Sequence, residues 1–169
     1  DHNWGNTPLQ KLFDSWVWFR GNSGGNTVIA AELNTSTKRG GYKIPILYVA
    51  NNDSTLVNRF GVNGLYTKYS DRIENVYNKT NEPLFSTVEM ITKNGEVLKI
   101  KGTKIIDNAD MFKRAPLPTY LKWILPMLRF GSKMSSIDPY YTRFDSDLEV
   151  VINDSVSRGF GVLEIMDLK

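Results

Sequence analysis

Short apolar segments separated by turn residues run through most of the chain, and they predict an antiparallel β protein. Glycine, asparagine and aspartate interrupt the chain at short intervals, and aromatic and β-branched residues fill the segments between them. Strands that recur at such close spacing are typical of a barrel or a sandwich. The predicted strands cover residues 15–20, 27–35, 43–50, 64–69, 84–93, 96–106, 141–153 and 158–168.

Two local signals refine this picture. Asn94-Gly95 predicts a two-residue hairpin turn, because both residues tolerate the positive φ that a type I′ turn requires at its two central positions. Pro45 has no backbone N–H to donate, so the strand over 43–50 is expected to begin late or to lie at an edge.

One segment breaks the pattern of strands: residues 115–132 combine three prolines with a run of large apolar side chains. Thr119 can cap a short helix that ends before Pro126, and we expect a helical insert over 117–130. The simplest role for this insert is to cover a barrel opening or an exposed sheet edge. The alternative is a mobile lid or a membrane-surface contact, for which neighbouring lysines and arginines supply charge.

Composition narrows the function classes. With 169 residues, 41% hydrophobic and 23% charged, the chain has the size and composition of one globular domain, 1–169. A net charge of +3 from scattered basic residues gives no indication of nucleic-acid binding. Without cysteine and with one histidine, the chain cannot form disulfides, a catalytic thiolate or a multi-histidine metal site. No apolar run approaches the roughly 18 residues of a transmembrane helix, and no signal peptide is visible.

The first part of the chain holds the histidine and three of the four tryptophans. His2 can act as a general acid or base or orient a substrate; alternatively, it makes a structural hydrogen bond at the head of a strand. Trp4 can bound a pocket and face a developing carbocation, or it belongs to the core. Trp16 and Trp18 project from one strand face. We expect His2 and Trp4 to line the mouth of an apolar, ligand-binding cavity that also exposes Trp16 or Trp18.

Two carboxylates are further candidates because of their strand faces. Glu164 shares its face with four apolar residues, so it either bonds across to an arginine or tyrosine, or faces a cavity as a proton donor. Glu32 lies on the more polar face of its strand, and that face is expected to meet solvent. In a ligand-holding barrel the same face lines the lumen instead.

The opening Asp-His-Asn-Trp-Gly, followed by Trp16-Val17-Trp18, resembles the signature of the hydroxyneurosporene synthase (carotenoid hydratase) and AttH-like group. The ending from Arg158 to Met166 is similar to the last strand of that group. The resemblance implies a lipocalin-like barrel that forms the C-terminal half of a longer, two-domain chain. It also implies that His2 and Trp4 are active residues, that no cofactor is used, and that the protein is exported, periplasmic or at the cell surface. The residues themselves indicate no compartment.

The strand after Trp-x-Trp departs from the hydratase pattern, because it has no tyrosine and its only acid is Glu32. The leading hypothesis is therefore an all-β, antiparallel lipocalin-like barrel that binds a small hydrophobic molecule, an isoprenoid or a lipid. The first alternative is a cofactor-free hydratase or cyclase that uses acid catalysis by His2, Glu164 or Glu32. The second is a structural domain that packs against an N-terminal half.

Overall fold

In the computed structural model, which describes residues 11–73, 84–110 and 140–168, nine antiparallel strands form one sheet. They are β1 (Phe13–Ser23), β2 (Asn26–Thr35), β3 (Lys43–Ala50), β4 (Thr55–Phe60), β5 (Leu65–Ile73), β6 (Leu84–Thr92), β7 (Val97–Asp110), β8 (Tyr140–Ile152) and β9 (Ser155–Asp167). Their order across the sheet is β4-β3-β2-β1-β9-β8-β7-β6-β5. The sheet curls into a half barrel, which confirms the predicted all-β, lipocalin-like class. The helical insert expected over 117–130 lies outside the described residues, within which there is no α-helix.

Alternate residues of each strand point to the concave, inner face of the sheet and form the hydrophobic core. The core residues are Val17, Phe19, Val28, Ala30, Leu47, Val49, Val57, Leu65, Val88, Met90, Leu98, Ile100, Phe144, Leu148, Val150 and Leu163. Gly21 and Gly161 pair between β1 and β9 beside the ring of Phe19. A Cβ on Gly21 would lie 2.6 Å from Phe19 Cζ, and one on Gly161 would lie 2.5 Å from it. Glycine at these two positions therefore makes room for the Phe19 ring in the core.

The outer face of β5 to β9 carries a row of alternating charges. Lys68, Glu89, Lys99, Glu149 and Arg158 are consecutive cross-strand partners. Lys99 Nζ lies 3.4 Å from Glu89 Oε1, and Arg158 Nε lies 3.2 Å from Glu149 Oε2. We call these five residues the charge ladder. Opposite charges at every step favour this pairing register over a shifted one.

The outer face of β1 and β2, by contrast, is apolar. Ala31 is fully buried there, and Trp16 and Trp18 on β1 are partly buried. Because Val17 and Phe19 belong to the core, β1 carries apolar side chains on both faces, as its sequence predicts.

Two contacts stabilise the curvature of the sheet. Each joins elements that are far apart in the strand order. The Tyr69 hydroxyl of the edge strand β5 donates a hydrogen bond of 2.8 Å to Glu32 Oε1 on β2. On the other edge strand, β4, Arg59 Nη2 lies 3.7 Å from Glu96 Oε1 in the turn between β6 and β7. The Glu96 carboxylate also accepts a hydrogen bond from the buried Thr92 hydroxyl. Each edge strand is therefore tied to an element that it does not neighbour in the sheet.

The hairpin between β6 and β7 forms where predicted, but its turn is longer than the predicted two residues. Ile91 pairs with Val97, the Thr92 N–H donates to the Glu96 carbonyl, and Gly95 alone in the turn has positive φ, 90°. This is the three-residue connection of a type I turn closed by a left-handed glycine. Because Asn94 keeps a negative φ, the predicted type I′ turn is wrong.

A two-residue turn with positive φ at both positions occurs instead between β8 and β9. Asn153 and Asp154 have φ of 49° and 61°, and Ile152 pairs with Ser155 on either side. Asparagine and aspartate are the non-glycine residues that best tolerate this conformation, which explains the choice of residues here.

The strand prediction missed β4. In this strand Val57 points into the core, whereas Leu56 and Phe60 point outward and are 40% and 70% exposed. Apolar residues on both sides hide the alternation of a half-buried strand. The expectation for Pro45 is wrong, since β3 begins at Lys43 and lies between β2 and β4. Proline is tolerated because pairing with β4 begins only at Ile46, and the Pro45 carbonyl accepts a hydrogen bond from the Gly61 N–H.

Candidate functional site

A cavity of about 500 Å³ opens at the end of the half barrel where β1 begins and β2 ends. We call it the polar cup and define it by six of its lining residues: Asp14, Ser15, Glu32, Asn34, Tyr69 and Phe85. Below the cup the interior is filled by core side chains such as Phe19 and Leu47, which are at most 1% exposed. A ligand would therefore lie at this end of the sheet rather than deep inside it.

Glu32 is the central polar group of the cup. Its side chain is 3% exposed and lies on the inner face of β2, in line with the core residues Val28 and Ala30. The expectation that this face meets solvent is wrong, and the lumen-facing alternative is the one the structure shows. The reason is that β5 curls over β2, so that Tyr69 covers the carboxylate and donates a hydrogen bond to it.

The environment of Tyr69 keeps its hydroxyl protonated. Burial raises the pKa of Tyr69 well above its ordinary value, and the neighbouring Glu32 raises it further through its negative charge and the hydrogen bond. Tyr69 therefore donates a proton to the hydrogen bond throughout the neutral pH range, and it fixes the position of the Glu32 carboxylate.

Within the part of the chain that the structure describes, two other polar side chains, on the strands of Glu32 and Tyr69, leave buried atoms without a hydrogen-bond partner. The Asn34 amide nitrogen donates to Ser15 Oγ at 3.0 Å, while Asn34 Oδ1 has no partner. Thr67 Oγ1, two residues before Tyr69 on the same strand face, also has none. Buried polar atoms are normally paired, so the unpaired Asn34 Oδ1, whose residue lines the cavity, indicates a group that a bound molecule can satisfy.

Aromatic rings form the other side of the cup. The centroids of the Tyr69 and Phe85 rings are 5.5 Å apart, and the Arg72 guanidinium lies 5.5 Å from the Phe85 centroid. Between Tyr69 and Arg72, Asp71 adopts a left-handed φ of 55°, and its carboxylate accepts a hydrogen bond of 2.6 Å from Thr87 Oγ1. This bond stabilises a strained residue where the edge strand passes the cavity.

The structure divides the predicted site residues between the two faces of the sheet. Glu164 lies on the outer face, opposite Trp18, and Trp16 is opposite Met166. Trp16, Trp18 and Glu164 are thus neighbours, but the sheet separates them from Glu32, and neither tryptophan lines the polar cup. His2 and Trp4 lie outside the described residues, so their part in catalysis and binding stays a prediction.

Glu164 has the partners that its structural interpretation predicts. Arg143 Nε lies 3.7 Å from Glu164 Oε1. Burial raises the pKa of Tyr141, and the charge of Glu164 and a hydrogen bond to it raise that pKa further. An arginine and a tyrosine thus neighbour this carboxylate, and its catalytic role also stays a prediction.

None of the predicted site residues is Tyr69, Asn34 or Phe85. A weak signal for Tyr69 was available, because Leu65, Thr67 and Tyr69 share one face of the short strand predicted over 64–69. Its partner on β2 could not be inferred, since β2 and β5 are not neighbours in the sheet.

Among the residues that the structure describes, no group of three or more potential metal ligands comes together. The same residues contain no helix with the length and apolar character of a membrane span.

No protein-family model matches the chain, and no curated protein matches it in sequence. Solved structures do match it in fold. CghA superposes with a TM-score of 0.61 at 9% identity, over 96% of this chain and 42% of CghA. CghA has also been solved with Sch210972.

Two further structures agree. Kievitone hydratase from Nectria haematococca matches with a TM-score of 0.58 at 12% identity, over 97% of this chain and 42% of the hydratase. A Nitrosomonas europaea protein assigned as AttH (NE1406) matches with a TM-score of 0.59 at 11% identity, over 96% and 41%. The chain thus spans about two fifths of the length of the structures it matches. It has the lipocalin-like fold of the AttH-like structures, as the sequence resemblance predicts.

Proposed function

We propose that the polar cup binds a small, mainly hydrophobic molecule, an isoprenoid or a lipid, by a polar group at one end of that molecule. The observation that carries this proposal is the buried Glu32–Tyr69 pair at the wall of a cavity of about 500 Å³. A site of this kind combines a few placed polar groups with apolar and aromatic surface. The packed core below the cup directs the apolar part of the molecule toward the open end.

A second candidate function is cofactor-free hydration, favoured by the same pair of residues and by the likeness in fold to kievitone hydratase. Hydration of a double bond needs an acid that protonates carbon and a base that takes a proton from the attacking water. Glu32 supplies a carboxylate for one of these steps. Tyr69 orients that carboxylate from β5, so β2 need not carry a tyrosine of its own.

We also propose that residues 1–169 form one domain of a longer, two-domain protein, and that an N-terminal domain packs against it. The coverage of about two fifths of each matched structure supports this arrangement.

The binding proposal is tested with the substitution Glu32→Gln, which keeps the size of the side chain and removes its charge. Glu164→Gln is the matched control, because it makes the same change on the opposite face of the sheet. Binding is followed by displacement of an anilinonaphthalene fluorophore with farnesol in the full-length protein. We expect Glu32→Gln to weaken farnesol binding about tenfold, since a charge-assisted hydrogen bond becomes a neutral one, and Glu164→Gln to leave it unchanged. Equal effects of the two substitutions would place the binding site elsewhere.

A further inference from the structure

Glu32 is a buried carboxylate, and no ion pair joins it to a lysine or arginine of the described part of the chain. Among the described residues its one side-chain hydrogen-bond donor is the neutral Tyr69 hydroxyl, and the ion pairs there involve other carboxylates. Burial of a carboxylate without a positive partner is costly. The cost is offset where a bound molecule brings the missing charge into the site.

Other lining groups of the polar cup can also bind a positively charged group. Among the described residues, Asn34 Oδ1 at the wall of the cup is a buried oxygen atom without a partner, and it can accept a hydrogen bond. The rings of Tyr69 and Phe85 present π-electron faces, which attract cations. Phe85 already attracts one, since the Arg72 guanidinium lies 5.5 Å from its centroid.

We propose that the molecule bound in the polar cup carries a protonated amine, and that its ammonium group pairs with Glu32 beside the rings of Tyr69 and Phe85. This inference rests on the proposed binding function and specifies the polar end of the ligand. The lining carboxylate of Glu32 favours a cation, whereas the exposed Lys43 at the mouth of the cavity and the Arg72 guanidinium beside Phe85 oppose it. An ammonium group donates hydrogen bonds and neutralises the buried charge, while a hydroxyl donates and leaves the charge in place.

Three probes with one apolar skeleton separate the possibilities: phenylbutylamine, phenylbutanol and phenylbutyrate. Their binding to the full-length protein at neutral pH is measured by calorimetry. We expect the amine to bind at least about tenfold more tightly than the alcohol, because the charged donor forms the stronger hydrogen bond with Glu32, and we expect the carboxylate to bind most weakly. Binding of the alcohol equal to or tighter than that of the amine would overturn the inference while leaving the binding function intact. Failure of all three probes to bind would overturn the binding function itself.

Two variants identify the groups responsible. Glu32→Gln keeps an oxygen acceptor for Tyr69. It should weaken the binding of the amine more than that of the alcohol, so that the preference for the amine is lost. Lys43→Ala changes an exposed residue and should strengthen amine binding by several-fold, because it removes a positive charge from the mouth. An amine preference that survives Glu32→Gln, or that is unaffected by Lys43→Ala, would contradict the proposed placement of the ammonium group.

Discussion

At the scale of single residues, the contact between Tyr69 and Glu32 serves two purposes. It gives the buried Glu32 carboxylate its one side-chain donor among the described residues, and it ties the edge strand β5 to β2 across the inner face. Loss of the hydroxyl leaves the carboxylate buried without its donor, which costs about 1–3 kcal/mol.

The raised pKa of Tyr69 gives this contact a pH dependence. In the unfolded chain the tyrosine loses its proton near pH 10, whereas in the folded protein it retains the proton to higher pH. Unfolding therefore releases a proton above about pH 10, so the stabilisation is complete below that pH and is lost as the pH rises further. We expect Tyr69→Phe to lower the melting temperature at neutral pH but to lessen its decline between about pH 9 and pH 11. Tyr66→Phe, at a residue that is 52% exposed, is the control and should follow the native protein. A Tyr69→Phe curve parallel to that of the control would show that Tyr69 is not protonated preferentially in the folded state.

The sequence predicts Glu32 as a candidate site residue, but it does not predict which residues surround Glu32. The residue type and its strand could be read from the alternation of side chains, since that alternation is local. Burial of Glu32 depends on Tyr69, 37 residues away, and on the curvature of the sheet. Such long-range closure leaves no periodic signal in a single sequence.

At the scale of elements, the turn between β6 and β7 lies at the predicted place in the sequence but has a different length and conformation from the predicted turn. Gly95 does adopt the positive φ that its turn predicts, but Asn94 does not, because the flanking strands end one residue earlier than a two-residue turn allows. Asn153-Asp154 forms the tighter turn without any glycine.

Gly95 provides a direct test of this turn. With φ at 90°, a β-branched side chain at this position is strained, so Gly95→Val should lower the free energy of unfolding by about 1 kcal/mol or more. Asn94→Ala is the control, since residue 94 has a negative φ and should tolerate alanine with little loss. Urea denaturation measures both. A Gly95→Val protein as stable as the native one would mean that the turn can take a conformation without positive φ.

If the five residues of the charge ladder act together, a double charge swap should affect stability differently from a swap in an isolated ion pair. Glu89→Lys places like charges opposite both Lys68 and Lys99, and should destabilise the protein by about 1 kcal/mol at low salt. Adding Lys99→Glu restores one pair but sets a lysine at position 89 against Lys68 and a glutamate at position 99 against Glu149. We therefore expect the double variant to remain as unstable as the single one in urea denaturation.

Reversal of the charge at all five ladder positions is the matched control. It recreates every opposite-charge pair with its sign inverted and should recover most of the native stability. If the double variant alone recovered that stability, the five residues would act as separate pairs and not as a ladder.

At the scale of the whole molecule, the polar cup lies at the end of the sheet where β5, β7 and β9 end and β1, β6 and β8 begin. The opposite end is closed by short turns, such as those at Gly95 and at Asn153-Asp154. The fold class follows from the repeated strand pattern, whereas the position of the site depends on which end receives the long connections. Which end of the sheet receives the long connections can be determined only when the order of the strands in the sheet is known.

The connection between β7 and β8 contains the apolar segment from Pro116 to Phe130, which lies outside the described residues. We predict that this segment packs on the barrel, because it is too short and too interrupted by proline to cross a membrane. The Trp123 ring should then be protected from iodide quenching in buffer, in a variant with the other three tryptophans replaced by phenylalanine. Strong quenching that only lipid vesicles relieve would instead indicate a contact with a membrane surface.

The strand order has a consequence for how the protein folds during synthesis. β9, the last of the nine strands to leave the ribosome, is the fifth in the sheet, with β1 on one side and β8 on the other. Until it is made, β4 to β1 and β8 to β5 are two separate four-stranded ribbons, each with an additional unpaired edge. The pairing of Phe19 with Leu163 joins residues from opposite ends of the chain, and contacts of such separation slow folding. The unpaired edges of β1 and β8 in the nascent chain therefore need protection from aggregation until β9 has been synthesised.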